Sequence, residues 1–128
     1  QKSENSIINI LSFGYKHGIS DDFEYVFDMR FLPNPFYIPE LRDKNGTDPE
    51  LGAYLSQFEI IDKFEDDVYN LLTYLIPEFK AQGKETITIA FGCTGGKHRS
   101  VYMANRMYER MKEDDYIIVL KHRDKDKW

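Results

Sequence analysis

The chain has 128 residues, 41% of them hydrophobic and 15% aromatic, which is enough for one domain with its own core and short for two. A net charge of -5 excludes a general nucleic-acid binder, because such affinity rests on neutralising phosphates, and leaves that role only to a local basic patch. One cysteine excludes an internal disulfide, and no apolar run nears the roughly 20 residues that span a bilayer; with no charged-then-apolar leader at the N-terminus, a cytoplasmic protein with no membrane partner is expected.

Ile7–Phe13 reads as a first strand and Tyr25–Asp28 as a second, separated by the loop-like Gly14–Gly18, with Ser20-Asp21-Asp22 able to cap one helical turn. Phe31–Pro39 holds three prolines, which remove donors and push their predecessors into extended conformations, so a stiff aromatic loop is expected. A helix starts at Thr47 or Asp48 with Pro49 in its first turn and Leu51, Tyr54, Leu55 and Phe58 facing inward. The longest helix follows, striped by Phe64, Val68, Leu71, Leu72, Leu75, Ile76 and Phe79, with a kink or early end expected at Pro77 and a C-cap at Gly83. Thr86–Phe91 is a strand by its alternation and β-branching, Ser100–Met111 a helix with Val101, Ala104, Tyr108 and Met111 on one face, and Tyr116–Leu120 a last strand. Residues 1–5 and 122–128 are expected to be flexible. The order implies an α/β fold: a single domain with a mixed or mostly parallel sheet, helices packed on it, and a glycine-rich anion loop between a strand and a helix.

That loop, Gly92-Cys93-Thr94-Gly95-Gly96-Lys97-His98-Arg99-Ser100, carries the chemistry. A glycine turn that opens a helix presents unpaired N–H groups and the positive end of the helix dipole to an anion. Arg99 can grip a phosphate through two parallel hydrogen bonds, with Lys97 as a second charge. In parallel sheets ligands sit beyond the carboxyl ends of the strands, which also singles out Lys16 and His17 after the first strand and Asp28, Arg30 and Asn34 after the second. Three histidines and one cysteine show no metal-ligand spacing, so neither a metal nor a cofactor is expected in this domain.

Three segments, Phe13–Gly18, Tyr25–Pro35 and Gly92–Val101, resemble in sequence and order the C-terminal domain of the RapZ/YvcJ family of bacterial nucleotide-binding proteins, a resemblance running from about Ile8 to Arg123. It implies a longer protein with an N-terminal P-loop domain that binds ATP or GTP, a domain these residues do not contain. It implies a phosphosugar site, glucosamine-6-phosphate in the enterobacterial branch, formed by His17, Asp28, Arg30, Thr94, Gly95, Gly96, His98 and Arg99. In the enterobacterial branch it also implies small RNA as a partner, for which Lys121, Arg123, Lys125 and Lys127 are the basic residues available; homo-oligomer formation stays open, with the aromatic loop Phe36-Tyr37 able to form a subunit contact. The chain departs from enterobacterial members at Phe36, where they carry histidine, and in a tail less basic than theirs; the Gram-positive YvcJ-like branch is the nearer match.

Two other classes remain open. Cys93-x5-Arg99-Ser100 has the form of a protein tyrosine phosphatase loop, in which Cys93 would attack phosphorus, Arg99 would hold the phosphate and Asp28 would protonate the leaving group. Against this stand Gly92, where that superfamily places histidine, and the lack of its other motifs. The third class is a structural oligomerisation module. Asp28 and Arg30 also suit a simple mutual ion pair, and Cys93 a small buried hydrophobe.

Overall fold

The computed structural model describes residues 6–128; the N-terminal segment 1–5, expected to be flexible, lies outside the described residues. Four strands form one sheet: β1 (Ile7–Gly14), β2 (Tyr25–Asp28), β3 (Thr86–Cys93) and β4 (Ile117–His122), in the order β2-β3-β1-β4. All three pairings are parallel, with Ile7 opposite both Thr86 and Ile117 and Val26 opposite Ala90. The mixed-or-mostly-parallel expectation therefore resolves to a fully parallel sheet, whose carboxyl ends share one edge.

Three helices supply the crossovers from β2 to β3 and from β3 to β4: α1 (Pro49–Leu55), α2 (Glu59–Ala81) and α3 (Arg99–Met111). Alternation decides which side chains meet them. Ile8 and Ile10 of β1 and Ile87, Ile89 and Phe91 of β3 pack against Val68, Leu72 and Ile76 of α2 and Met103, Met107 and Met111 of α3. The central strand β3 is buried from Ile87 to Cys93, as a strand with neighbours on both sides requires. On the opposite face Leu11, Phe13 and Ala90 are covered by Tyr15 and Phe23 from the β1–β2 connection; towards β4 that face is open, leaving Ile117 and Val119 exposed.

Several local expectations are revised. Ser20-Asp21-Asp22 forms a turn rather than a helical one, closed by the Asp22 N–H donating to Ser20 Oγ at 3.0 Å. The proline loop contains a short 3-10 turn, Pro35–Tyr37, capped by Asn34, whose Oδ1 accepts from the Phe36 N–H. Pro77 does not end α2, which runs on to Ala81. Gly83 has φ +81 and sits one residue beyond the C-cap Gln82, where a left-handed residue stops the helix.

Residues 122–128, the tail expected to be flexible, make specific contacts with the ends of the sheet and the glycine loop. His122 ends β4 with its Nδ1 2.6 Å from Ser12 Oγ and its Nε2 3.0 Å from Asn105 Oδ1. Asp124 is buried and accepts from the Gly14 N–H at 2.7 Å, while the Trp128 indole donates to the Gly96 carbonyl at 2.8 Å. Its polar groups satisfy backbone groups left open at the end of β1 and in the glycine loop after β3.

Candidate ligand-binding site

The connections after β1, β2, β3 and β4 meet at the carboxyl edge. Gly96 takes φ +74, a conformation glycine adopts without the steric cost other residues meet, and this turns the chain from β3 into α3. Thr94 accepts from the Lys16 N–H at 3.2 Å, and Lys97 accepts from the Gly46 N–H at 2.8 Å, so the loop's carbonyls are pinned outward to its neighbours. Among the described residues the N–H groups of residues 94 to 99 donate to no protein acceptor, which is the donor set an anion at a helix N-terminus uses.

Arg99 opens α3 and is only 5% exposed. Its Nη1 donates to the carbonyls of Arg30 and Leu32, both at 3.0 Å, whereas its Nε is buried without a partner. One nitrogen is thus spent on holding the β2 connection, and the Nε–Nη2 edge is left for a two-point contact with an oxyanion. An unpaired buried donor on a charged group is costly, and a bound anion removes that cost.

Cys93 is buried at the end of β3, its Sγ 3.1 Å from Ser100 Oγ and 3.4 Å from the Ser100 nitrogen, whose N–H points at the sulfur. His98 is also buried, with Nε2 3.0 Å from the Arg42 carbonyl oxygen. Burial pushes its pKa down, against the raising effect of the Lys44 and Arg42 carbonyls, and the charges of Lys97 and Arg99 act in the same direction as burial. The neutral imidazole is favoured, so His98 positions the Arg42 segment rather than adding charge.

These groups line a cleft of about 520 Å³, within the usual size of small-ligand sites. Of the residues singled out in the sequence, Thr94, Gly95, His98 and Arg99 line it, together with Cys93, Lys16, Lys97 and Asn34. Gly96 contributes backbone geometry and receives Trp128. His17, Asp28 and Arg30 are not among the lining residues. Asp28 and Arg30 hold each other in a fork, Nε to Oδ1 at 2.9 Å and Nη2 to Oδ2 at 2.7 Å, and the guanidinium lies 3.9 Å over the Tyr15 ring. The Arg30 hydrogen bond keeps the Asp28 carboxyl below the usual range. This is the mutual pair that was the simpler of the two sequence readings.

Five lining residues were not singled out as site residues: Phe36, Tyr37, Arg42, Asp43 and Trp128. The aromatic proline loop was a signal for the first two; nothing local marks the others, which arrive by tertiary packing. Lys127, assigned to the basic tail, also lines the cleft. Arg123 turns inward to Asp124 and to the Gly18 carbonyl at 2.7 Å, while Lys121 and Lys125 are exposed. The basic stripe of α3 is neutralised within the fold, Arg106 by Asp62 and Glu65, Arg110 by Glu65 and Asp66, and Lys112 by Glu109.

The profile of the RapZ C-terminal domain matches residues 6–126. The chain belongs to this family. The chain is similar to a nucleotide-binding protein of Thermotoga sp. strain RQ2, 43% identical over 126 residues that cover 98% of this chain and 45% of that protein. It is similar to another of Thermoanaerobacter sp. strain X514, 48% identical over 124 residues, 97% of this chain and 44% of the relative. A third, from Clostridium botulinum strain Hall, is 47% identical over 118 residues, 92% of this chain and 40% of the relative. The chain spans less than half the length of these relatives. Among the described residues no helix is long and apolar enough to cross a membrane.

Proposed function

We propose that this domain binds a phosphorylated small molecule, an amino sugar phosphate such as glucosamine-6-phosphate, in the cleft at the N-terminus of α3, and that in the longer protein the bound state regulates a further interaction. The observation that carries this reading is the buried Arg99 Nε without a partner, set beside the unpaired N–H groups of residues 94 to 99. Both match the oxygens of a phosphate, and the cleft leaves room for the rest of the ligand. Calorimetry with glucosamine-6-phosphate, glucosamine and inorganic phosphate tests it: the phosphosugar binds best, and equal or absent heats for all three overturn it.

A cysteine-dependent phosphatase is the second reading, favoured by the place of the Cys93 sulfur beside the first turn of α3, where it accepts from the Ser100 N–H. The acid expected for it, Asp28, is committed to Arg30 and does not line the cleft. Binding without turnover is the better-supported function. An RNA contact through the tail has less support, since Arg123 faces Asp124 and Lys127 faces the cleft.

A further inference from the structure

The cleft is more cationic than one phosphate requires. Lys16, Arg42, Lys97, Arg99 and Lys127 line it against a single carboxylate, Asp43, on a chain whose net charge is -5. Among the described residues Lys16, Arg42, Lys97 and Arg99 have no carboxylate within ion-pair distance, and the nearest to Lys127 is Asp124 at 3.9 Å, already bound to Arg123. Elsewhere the contrast is plain, because Arg106 and Arg110 of α3 are each paired with acids of α2. A sugar monophosphate brings about -1.5 to -2, which the loop N–H groups, Arg99 and one lysine already balance.

The other cations have a place of their own. Lys16 lies over the glycine loop, its Nζ 4.0 Å from where a Cβ on Gly95 would stand, while Arg42 and Lys127 come from the proline loop and the tail. Those two segments also bring aromatic rings to the cleft: Phe36, Tyr37 and Trp128. Phe36 and Tyr37 are 49% and 75% exposed, in edge contact with each other at 5.6 Å. Exposed rings beside cations stack on flat, anion-bearing ligands.

We infer that the cleft takes a ligand with two linked phosphoryl groups and a planar ring, a nucleoside diphosphate or its sugar ester. One phosphoryl group sits on the loop and Arg99, the second meets Lys16 and Lys127, and the ring lies against Phe36, Tyr37 or Trp128. This inference rests on the phosphate site proposed above and names its ligand class.

Titration of this 128-residue chain with ADP, UDP, AMP, UMP, pyrophosphate and glucosamine-6-phosphate tests it. At least one nucleoside diphosphate binds about tenfold or more tightly than its monophosphate and more tightly than pyrophosphate, and the exposed-site variant Lys16→Ala narrows that gap. If glucosamine-6-phosphate binds while neither diphosphate exceeds its monophosphate, the diphosphate inference is overturned and the phosphosugar reading stands. If no phosphorylated compound binds, both fall.

Discussion

Gly14 and Gly96 meet backbone to backbone: a Cβ on Gly96 would lie 2.5 Å from the Gly14 nitrogen, and one on Gly14 would lie 2.5 Å from the carbonyl carbon of Gly95. Neither position tolerates a side chain, because the obstructing atoms are main chain and cannot rotate away. The contact fixes the anion loop against the end of β1, and the Gly14 N–H is in turn held by Asp124.

Gly96→Ala therefore meets two penalties, the backbone overlap and the positive φ of +74. We expect a loss of about 2–4 kcal/mol in stability, read by urea denaturation, together with weakened phosphosugar binding. A variant with wild-type stability would show that the loop moves freely against β1.

Arg99→Lys keeps a charge and loses both the Nη1 group that holds the Arg30 and Leu32 carbonyls and the Nε–Nη2 edge that the proposed ligand would meet. Phosphosugar affinity should fall by roughly 10- to 100-fold, about 1.5–3 kcal/mol, as measured by calorimetry. Affinity within twofold of wild type would remove Arg99 from the binding surface.

Asp124 gives the tail a pH dependence. Burial pushes its carboxyl up, but the hydrogen bond from Arg123, the Gly14 N–H and the nearby positive charge outweigh burial and leave it lowered overall. With the unfolded carboxyl near 3.9, the unfolded chain holds more protons between the two values, so stability there rises with pH. The contribution is complete above the unfolded value and disappears as pH falls through the folded one. Asp124→Ala should cost about 1–3 kcal/mol at pH 7, and the gap to wild type should close in acid; a gap independent of pH would mean that Asp124 acts by packing alone.

Cys93 separates binder from enzyme. The chain should not turn over an aryl phosphate, and Cys93→Ser should bind phosphosugar within a few-fold of wild type, because the position asks only for a small residue. Cys93-dependent hydrolysis at about 1 per second or faster, an ordinary enzyme rate, would establish the phosphatase instead.

The elements were legible wherever periodicity was strong. The alternation of Ile7–Phe13 and Thr86–Phe91 and the stripes of α2 and α3 mark strands and helices whatever surrounds them, because each must bury one face. Of the two outcomes expected at Pro77 the early end does not occur: the buried neighbours Leu72 and Ile76 carry α2 through the exposed proline to Ala81, and packing outweighs the local preference.

By itself the sequence determined the α/β class and the grouping of Thr94, Gly95, His98 and Arg99 in one turn, because a strand, a glycine turn and a helix N-terminus follow one another within ten residues. Only the tertiary structure decided what completes the cleft. Arg42, Asp43 and Trp128 carry no local mark of function and reach the loop because parallel strands bring four distant connections to one edge. The same packing turned Arg123 inward, since an open backbone N–H at Gly14 recruits the buried carboxylate of Asp124 beside it.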